Sequence, residues 1–467
     1  MRLRSFAGPL LLACYRYSMA KLYTFLLGSG LLAAGAGWLG RPPAAAQAPA
    51  AASDVFQAKA LVALADADMV PSAYVDGQLG PAAGHDALAV LAFDGRQVAP
   101  TSVQTLPISN SVTGPPAAVA VTPDGRYAIA IETRGPRPAP GGAATLAGLA
   151  QARTITVVDL ADPRQPRVVQ QLAGPRHASS VSVSADGTLV ALAVHPDGDG
   201  RATPLWLYRF RAGRLLDGAA VPVPGWTPGD ELVHALFHPS RNVLALTNKT
   251  QHRLALAEVQ PAGAQWRLRP WGEPVPIEPG TLLTCFSPDG RYVFANGGPT
   301  TPPPGEPLHG WVLAVRLDAH PGAAGGPQPA VSARARTGYI PEGLAMSPDG
   351  RLLVTVNLEQ TFQPLASPQR SRYASVSLFA FDPASGELAA AGDFAFDGLL
   401  PESAVFDASS RRLAVANFGQ LDDPTAPGSI DFWRVVGEAR GPERLRLVKT
   451  NRSVPLQRGV HTLAIVR

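Results

Sequence analysis

Two glutamates, Glu342 and Glu402, stand seven residues ahead of the centre of a recurring turn, at Asp349 and Ser409. Aligning the C-terminal apolar run Val460–Val466 on the same register puts His461 in the equivalent place. Two carboxyls and an imidazole brought to one partly dry mouth can act as general acid and base on an ester or lactone, each perturbing the other's pKa. Arg176 and His177 precede one inner strand, Glu231 and His234 lie at another, and Asn357 and Asn417 end two second strands. At the same mouth these six would be ligand contacts. Glutamate and asparagine oxygens also have the chemistry of a Ca2+ site. Cys/His metal spacings, a nucleophile elbow and a Gly-rich phosphate loop are all missing from the sequence, so no metal and no cofactor is assigned. The competing expectation is structural: polar side chains at a wet mouth pair with one another, and Arg176 and Arg458 are the partners within reach of the glutamates.

These positions mean something only if the chain repeats. Ser347-Pro348-Asp349-Gly350-Arg351 recurs as Thr122-Pro123-Asp124-Gly125-Arg126, Ser184-Ala185-Asp186-Gly187-Thr188 and Ser287-Pro288-Asp289-Gly290-Arg291. Degraded copies are His238-Pro239-Ser240-Arg241-Asn242 and Asp407-Ala408-Ser409-Ser410-Arg411. Proline sets one turn dihedral, Asp tolerates the bridge region and Gly takes a positive φ, so each copy predicts a tight hairpin between the apolar runs that flank it. Successive centres lie 62, 54, 49, 60 and 60 residues apart. Self-similarity at that period, with about four short strands per copy, predicts an all-β propeller. Residues 60–64, 87–93 and 102–106 read as three strands lacking a turn motif, and Val460–Val466 as a lone inner strand. Pairing the last with the first three closes a seven-bladed ring and removes two open sheet edges. Long loops follow the second strands at 132–153, 296–310 and 357–374, all on one face, where binding is expected.

Composition fits this reading. Only 16% of the 467 residues are charged, and 46 Gly and 47 Pro imply many turns. The net charge of +4 is concentrated at the start. Residues 1–48 hold five basic residues and no acid, leaving 35 basic against 36 acidic residues beyond, so no basic surface for nucleic acid is expected. Lys21, an uncharged run over residues 22–39 and Ala46-Gln47-Ala48 predict a secretory leader over 1–48, with Met19 an alternative start, hence a periplasmic or secreted protein. An uncleaved membrane anchor and a lipoprotein site at Cys14 stay open, and a membrane contact follows only if the leader is retained. Residues 49–58 then read as a disordered tail and 59–467 as the propeller. Loss of the leader leaves Cys285 alone, which excludes a disulfide within one subunit and predicts a buried, inert thiol.

The second strands, Tyr292-Val293-Phe294-Ala295-Asn296, Leu353-Val354-Thr355-Val356-Asn357, Leu413-Ala414-Val415-Ala416-Asn417 and Leu244-Ala245-Leu246-Thr247-Asn248, resemble those of the YVTN-type and lactonase-like seven-bladed propellers. So does the stretch Ser375–Leu388, with its Asp382-Pro383-x-x-Gly386-x-Leu388 turn. The resemblance spans almost the whole mature chain. It implies the seven-bladed architecture and, as one activity of the family, lactone hydrolysis. The family's His-x-His-Ser-Val stretch reads here His177-Ala178-Ser179-Ser180-Val181, with Ser in place of the second His. Two functions follow as expectations. One is an exported binding or interaction module that presents the long-loop face to a small molecule or protein. The other is a hydrolase of a small lactone or ester at the channel mouth.

Overall fold

Each repeat is organised by its turn. In the computed structural model, Ser347 Oγ donates to Asp349 Oδ1 at 2.5 Å and accepts the Leu352 amide at 2.9 Å, while Asp349 Oδ1 accepts the Arg351 amide at 3.1 Å. Gly350 closes the turn at φ +69°, which a side chain would strain. The Thr122, Ser184 and Ser287 copies repeat this network. The two degraded copies keep the geometry by substitution: His238 Nδ1 accepts the Ser240 amide at 3.1 Å, and Asp407 Oδ1 accepts Ser409 Oγ at 2.6 Å.

The structure describes residues 55–138, 145–299, 308–321, 327–423, 425–438 and 441–467. Seven antiparallel blades result, each with its inner strand starting one turn copy or closing the ring. The inner strands are Val119–Val121, Ala178–Val183, Leu232–Phe237, Thr284–Phe286, Pro341–Met346, Ala404–Phe406 and Val460–Val466. The last of these pairs with Ala60–Ala65, in register Ala60↔Val466 and Ala63↔Leu463, and Ala87–Ala92 and Ser102–Pro107 complete that blade. The predicted closure is therefore present, and the ring has seven sectors. Second strands such as Leu352–Asn357 and Arg412–Asn417 are buried along their whole length, which explains why their runs are mostly apolar rather than alternating. Val181, Val183, Leu236, Leu344, Met346 and Val405 help to line a central channel of about 390 Å3.

Two departures from expectation matter. The leader falls outside the described residues, but Phe56, inside the predicted tail, is fully buried and packs edge-on against Phe432 at 5.1 Å. Ordered chain thus begins before residue 59, because an aromatic ring there fills the seam between the last two blades. The second departure is at the loop face. Residues 66–86, between the second and third strands of the closing blade, carry a short helix, Ala73–Asp76. Met69, Ala73 and Leu79 from this insert pack with Val112, Leu149, Leu358, Leu400 and Phe418 into a separate apolar cluster. The long-loop face consequently has its own small core.

Candidate functional site

Glu342 is the second residue of its inner strand, and its backbone is fixed from the neighbouring blade: Asn296 Nδ2 donates to the carbonyls of Pro341 at 2.9 Å and Glu342 at 3.1 Å. Gly343 lets the next blade approach, since a Cβ there would sit 2.7 Å from the Glu402 carbonyl oxygen. The two glutamates are therefore brought together as the repeat predicts, and both are buried, at 8% and 1% exposure. The expected arginine partners are engaged elsewhere. Arg458 Nη2 donates to the carbonyls of Ala67 and Pro81, at 2.7 and 2.8 Å, and so ties down the insert. Arg176 is held by Asp199 at 2.9 Å. Both carboxyl oxygens of Glu402 are left without a hydrogen-bond partner among the described residues. Burial, then repulsion from Glu342 and Asp66, drives the Glu402 pKa well above the usual carboxyl range. Burial lifts Glu342 to about 8 against a lowering influence from Lys249.

The groups that face this pair include two the sequence did not single out. Tyr74, on the helix of the insert, keeps part of its ring exposed but turns its hydroxyl inward to donate to the Val112 carbonyl at 2.9 Å. Burial and the charges of Glu402, Glu342 and Asp66 raise it well above 10. Asp66 is raised to about 6 by burial, even though it accepts the Val112 and Asp68 amides at 2.9 and 2.8 Å. Asp66 follows directly on Ala60–Ala65, the second strand of the closing blade, a position with no turn motif to mark it.

His461 corrects the sequence reading. It occupies the expected register but its ring is closed off: Nε2 pairs with Asn110 Oδ1 at 2.8 Å and Nδ1 with Thr462 Oγ1 at 2.9 Å. Burial alone presses it down to about 3, so it is a neutral structural bridge to the segment entering the first blade. Asn357 and Asn417 are likewise structural. Asn357 donates to Ser375 and Ser377 at 2.8 and 2.9 Å and accepts from Thr355 at 2.9 Å, and Asn417 Oδ1 accepts the Leu399 amide at 2.7 Å. These two asparagines are spent on hydrogen bonds within the protein rather than facing a ligand. His234 lines the channel, its Nδ1 accepting the Thr284 amide at 3.1 Å and its pKa lowered to about 4 by burial. Cys285 is partly buried, and desolvation pushes its thiol up, away from nucleophilic chemistry.

His177 and Glu231 join a second cluster. The loop His195-Pro196-Asp197-Gly198-Asp199-Gly200 folds back so that His177 Nδ1 and His195 Nδ1 both meet Asp197 Oδ1, the latter at 2.5 Å. The two rings lie 4.5 Å apart. His195 Nε2 faces Glu231 Oε1 at 3.5 Å, Lys249 Nζ holds that oxygen at 3.1 Å, and Arg134 approaches Asp197 Oδ2 at 3.6 Å. Burial and Arg134 lower His177 to about 4. Burial opposes protonation of His195, but Glu231 and Asp197 outweigh it and raise that pKa. Lys249, which holds Glu231, also lowers the Glu342 pKa through its charge.

No family model and no curated protein matches the chain. Solved structures do. The periplasmic gluconolactonase PpgL of Pseudomonas aeruginosa superposes with a TM-score of 0.55 at 18% identity, over 87% of this chain and 99% of its own. A candidate 6-phosphogluconolactonase of Bacteroides uniformis does so at 0.57 and 15% identity, over 88% and 100%. A protein of unknown function from Desulfotomaculum acetoxidans gives 0.53 at 12% identity, over 82% and 96%. The fold is thus that of the lactonase-like seven-bladed propellers.

Proposed function

We propose that the protein hydrolyses a small lactone or ester at the capped channel mouth, with Glu342 as general base and Glu402 as general acid. The observation that carries this reading is Glu402: a fully buried carboxyl without partners is costly to keep, and carboxyls with displaced pKa values concentrate where protons are moved. In the reaction, the Glu342 carboxylate takes a proton from water as its oxygen adds to the substrate carbonyl. Glu402, still protonated, then gives its proton to the departing ring oxygen, so the pair ends with its proton moved from one carboxyl to the other. The names of the Pseudomonas and Bacteroides neighbours lend support, and the Pseudomonas name together with the leader read over residues 1–48 supports a periplasmic or secreted location.

The test is acid release from a panel of lactones by purified protein. The wild type should hydrolyse at least one, with a rate that rises as pH passes about 8, because the base must be ionised and Glu342 holds its proton up to about there. Glu342→Gln and Glu402→Gln should each lose about 100-fold or more. A wild type inert to every lactone, or activity indifferent to both substitutions, rejects the reading. A second reading, a binding module that uses the loop face, is favoured by Leu365 and Tyr373, 58% and 53% exposed on one of the long loops. It predicts a partner whose capture is lost in Leu365→Ser/Tyr373→Ser and kept in Glu402→Gln.

A further inference from the structure

The cluster around Asp197 poses a problem of protons. Glu231, facing His195 Nε2 and itself held by Lys249, is an acceptor and assigns the ring hydrogen to Nε2. The Asp197 amide, which points at His195 Nδ1 from 3.3 Å, assigns a lone pair to that nitrogen. Yet the same Nδ1 lies 2.5 Å from a carboxylate oxygen, and His177 Nδ1 converges on that oxygen too. A lone pair facing an anion at this distance is repulsive, and a cation between them removes the conflict.

We propose that His177 Nδ1, His195 Nδ1 and Asp197 Oδ1 bind one divalent transition-metal ion of the zinc class, leaving a fourth position open. Two imidazoles and one carboxylate suit such an ion, and three protein ligands with an open place are the pattern of reactive rather than structural zinc sites. The three ligand atoms lie within 4.8 Å of one another, and tetrahedral zinc would set them about 3.3 Å apart, so a small outward adjustment accommodates the ion. Glu231 supplies the outer carboxylate that orients a ligating imidazole. Arg134 sits at Asp197 Oδ2, which leaves Oδ1 as the ligand atom.

The frame is built rather than incidental. His177 is held at φ +61°, a left-handed conformation uncommon for a residue other than glycine. Its carbonyl accepts the His195 amide at 2.9 Å, and the Arg176 carbonyl accepts the Asp199 amide at 3.2 Å. A Cβ on Gly198 would lie 2.3 Å from the Arg176 carbonyl oxygen, and one on Gly200 2.0 Å from that of Val194. Only glycine at both places lets the loop lie flat against the strand end and deliver its histidine and aspartate.

The experiment is a titration of chelator-stripped, full-length protein with Zn2+ against a chromophoric competitor, with Co2+ absorption as a report on geometry. One ion per chain is expected. His195→Ala, on the loop, and His177→Ala should each weaken binding about 100-fold or more, and Zn2+ should raise the melting temperature of the wild type but of neither variant. Melting without metal shows whether a variant is folded, and Asp197→Asn, which keeps the shape of the loop, gives a third reading of the same loss. Uptake by the wild type no tighter than by the His177→Ala/His195→Ala double variant overturns the site. So does a His195 ring that titrates as an imidazolium between the two carboxylates, unmoved by Zn2+. Binding is measured without a lactone, and repeating it in Glu402→Gln separates failure of this site from failure of the hydrolase reading.

Discussion

Replacing Glu402 by Gln should stabilise the protein, and increasingly so as pH rises. The side chain is 1% exposed with neither carboxyl oxygen hydrogen-bonded, so the folded state holds it as a neutral acid. In the unfolded chain it ionises near its ordinary value of 4.5. Above that pH the unfolded state releases a proton that the folded state must keep, and the wild type loses about 1.4 kcal/mol of stability for each unit. Glutamine ionises in neither state and escapes the loss. The amide carries no proton to release, so the cost of burying it has no pH dependence of its own, and Asp66, which ionises near 6, does so in both proteins. The advantage of Glu402→Gln over wild type should therefore grow by about 3 kcal/mol between pH 5 and pH 7. Both values lie below about 8, where Glu342 begins to ionise and would add its own repulsion. Urea unfolding of both proteins at the two pH values measures this directly. An equal difference at both would mean that Glu402 is already ionised in the folded state, and the acid role assigned to it would fall with the premise.

Tyr74→Phe deletes a hydroxyl that donates to the Val112 carbonyl within electrostatic reach of the glutamates, so hydrolysis should fall by about 10-fold or more with the melting temperature little changed; an unaltered rate would remove Tyr74 from the site. Ser347→Ala breaks a fully buried hydroxyl away from Asp349 and the Leu352 amide and should cost about 2 kcal/mol, seen as a lowered urea midpoint with activity per folded molecule unchanged.

How much of this was legible depends on what repeats. Pro348, Asp349 and Gly350 act within five residues of one another, and their geometry is dictated by local dihedrals and short hydrogen bonds. The same words elsewhere in the chain therefore announce the same hairpin, and from the count and the leftover terminal strands the closed seven-bladed ring follows. Glu342 and Glu402 were found for the same reason: register within a repeat fixes position around the ring. Register does not fix environment. His461 holds the equivalent place, but Asn110, some 350 residues earlier in the chain, seals its ring, while Asn357 turns back onto serines of its own blade.

The sequence by itself determined the strands, the turns and the residues that reach the inner ring, because those obey short-range rules of backbone geometry and alternation. Only the tertiary structure decided which of them are dry and which are paired. The loop over residues 66–86 follows a second strand, as the other long loops do, but its residues bring Tyr74 and Asp66 to the glutamates, and its carbonyls hold Arg458 Nη2. The loop carrying His195 and Asp197 meets His177 only once two glycines let it fold against the strand end. Burial and charge partnership are sums over groups distant in sequence, and no local pattern encodes such a sum.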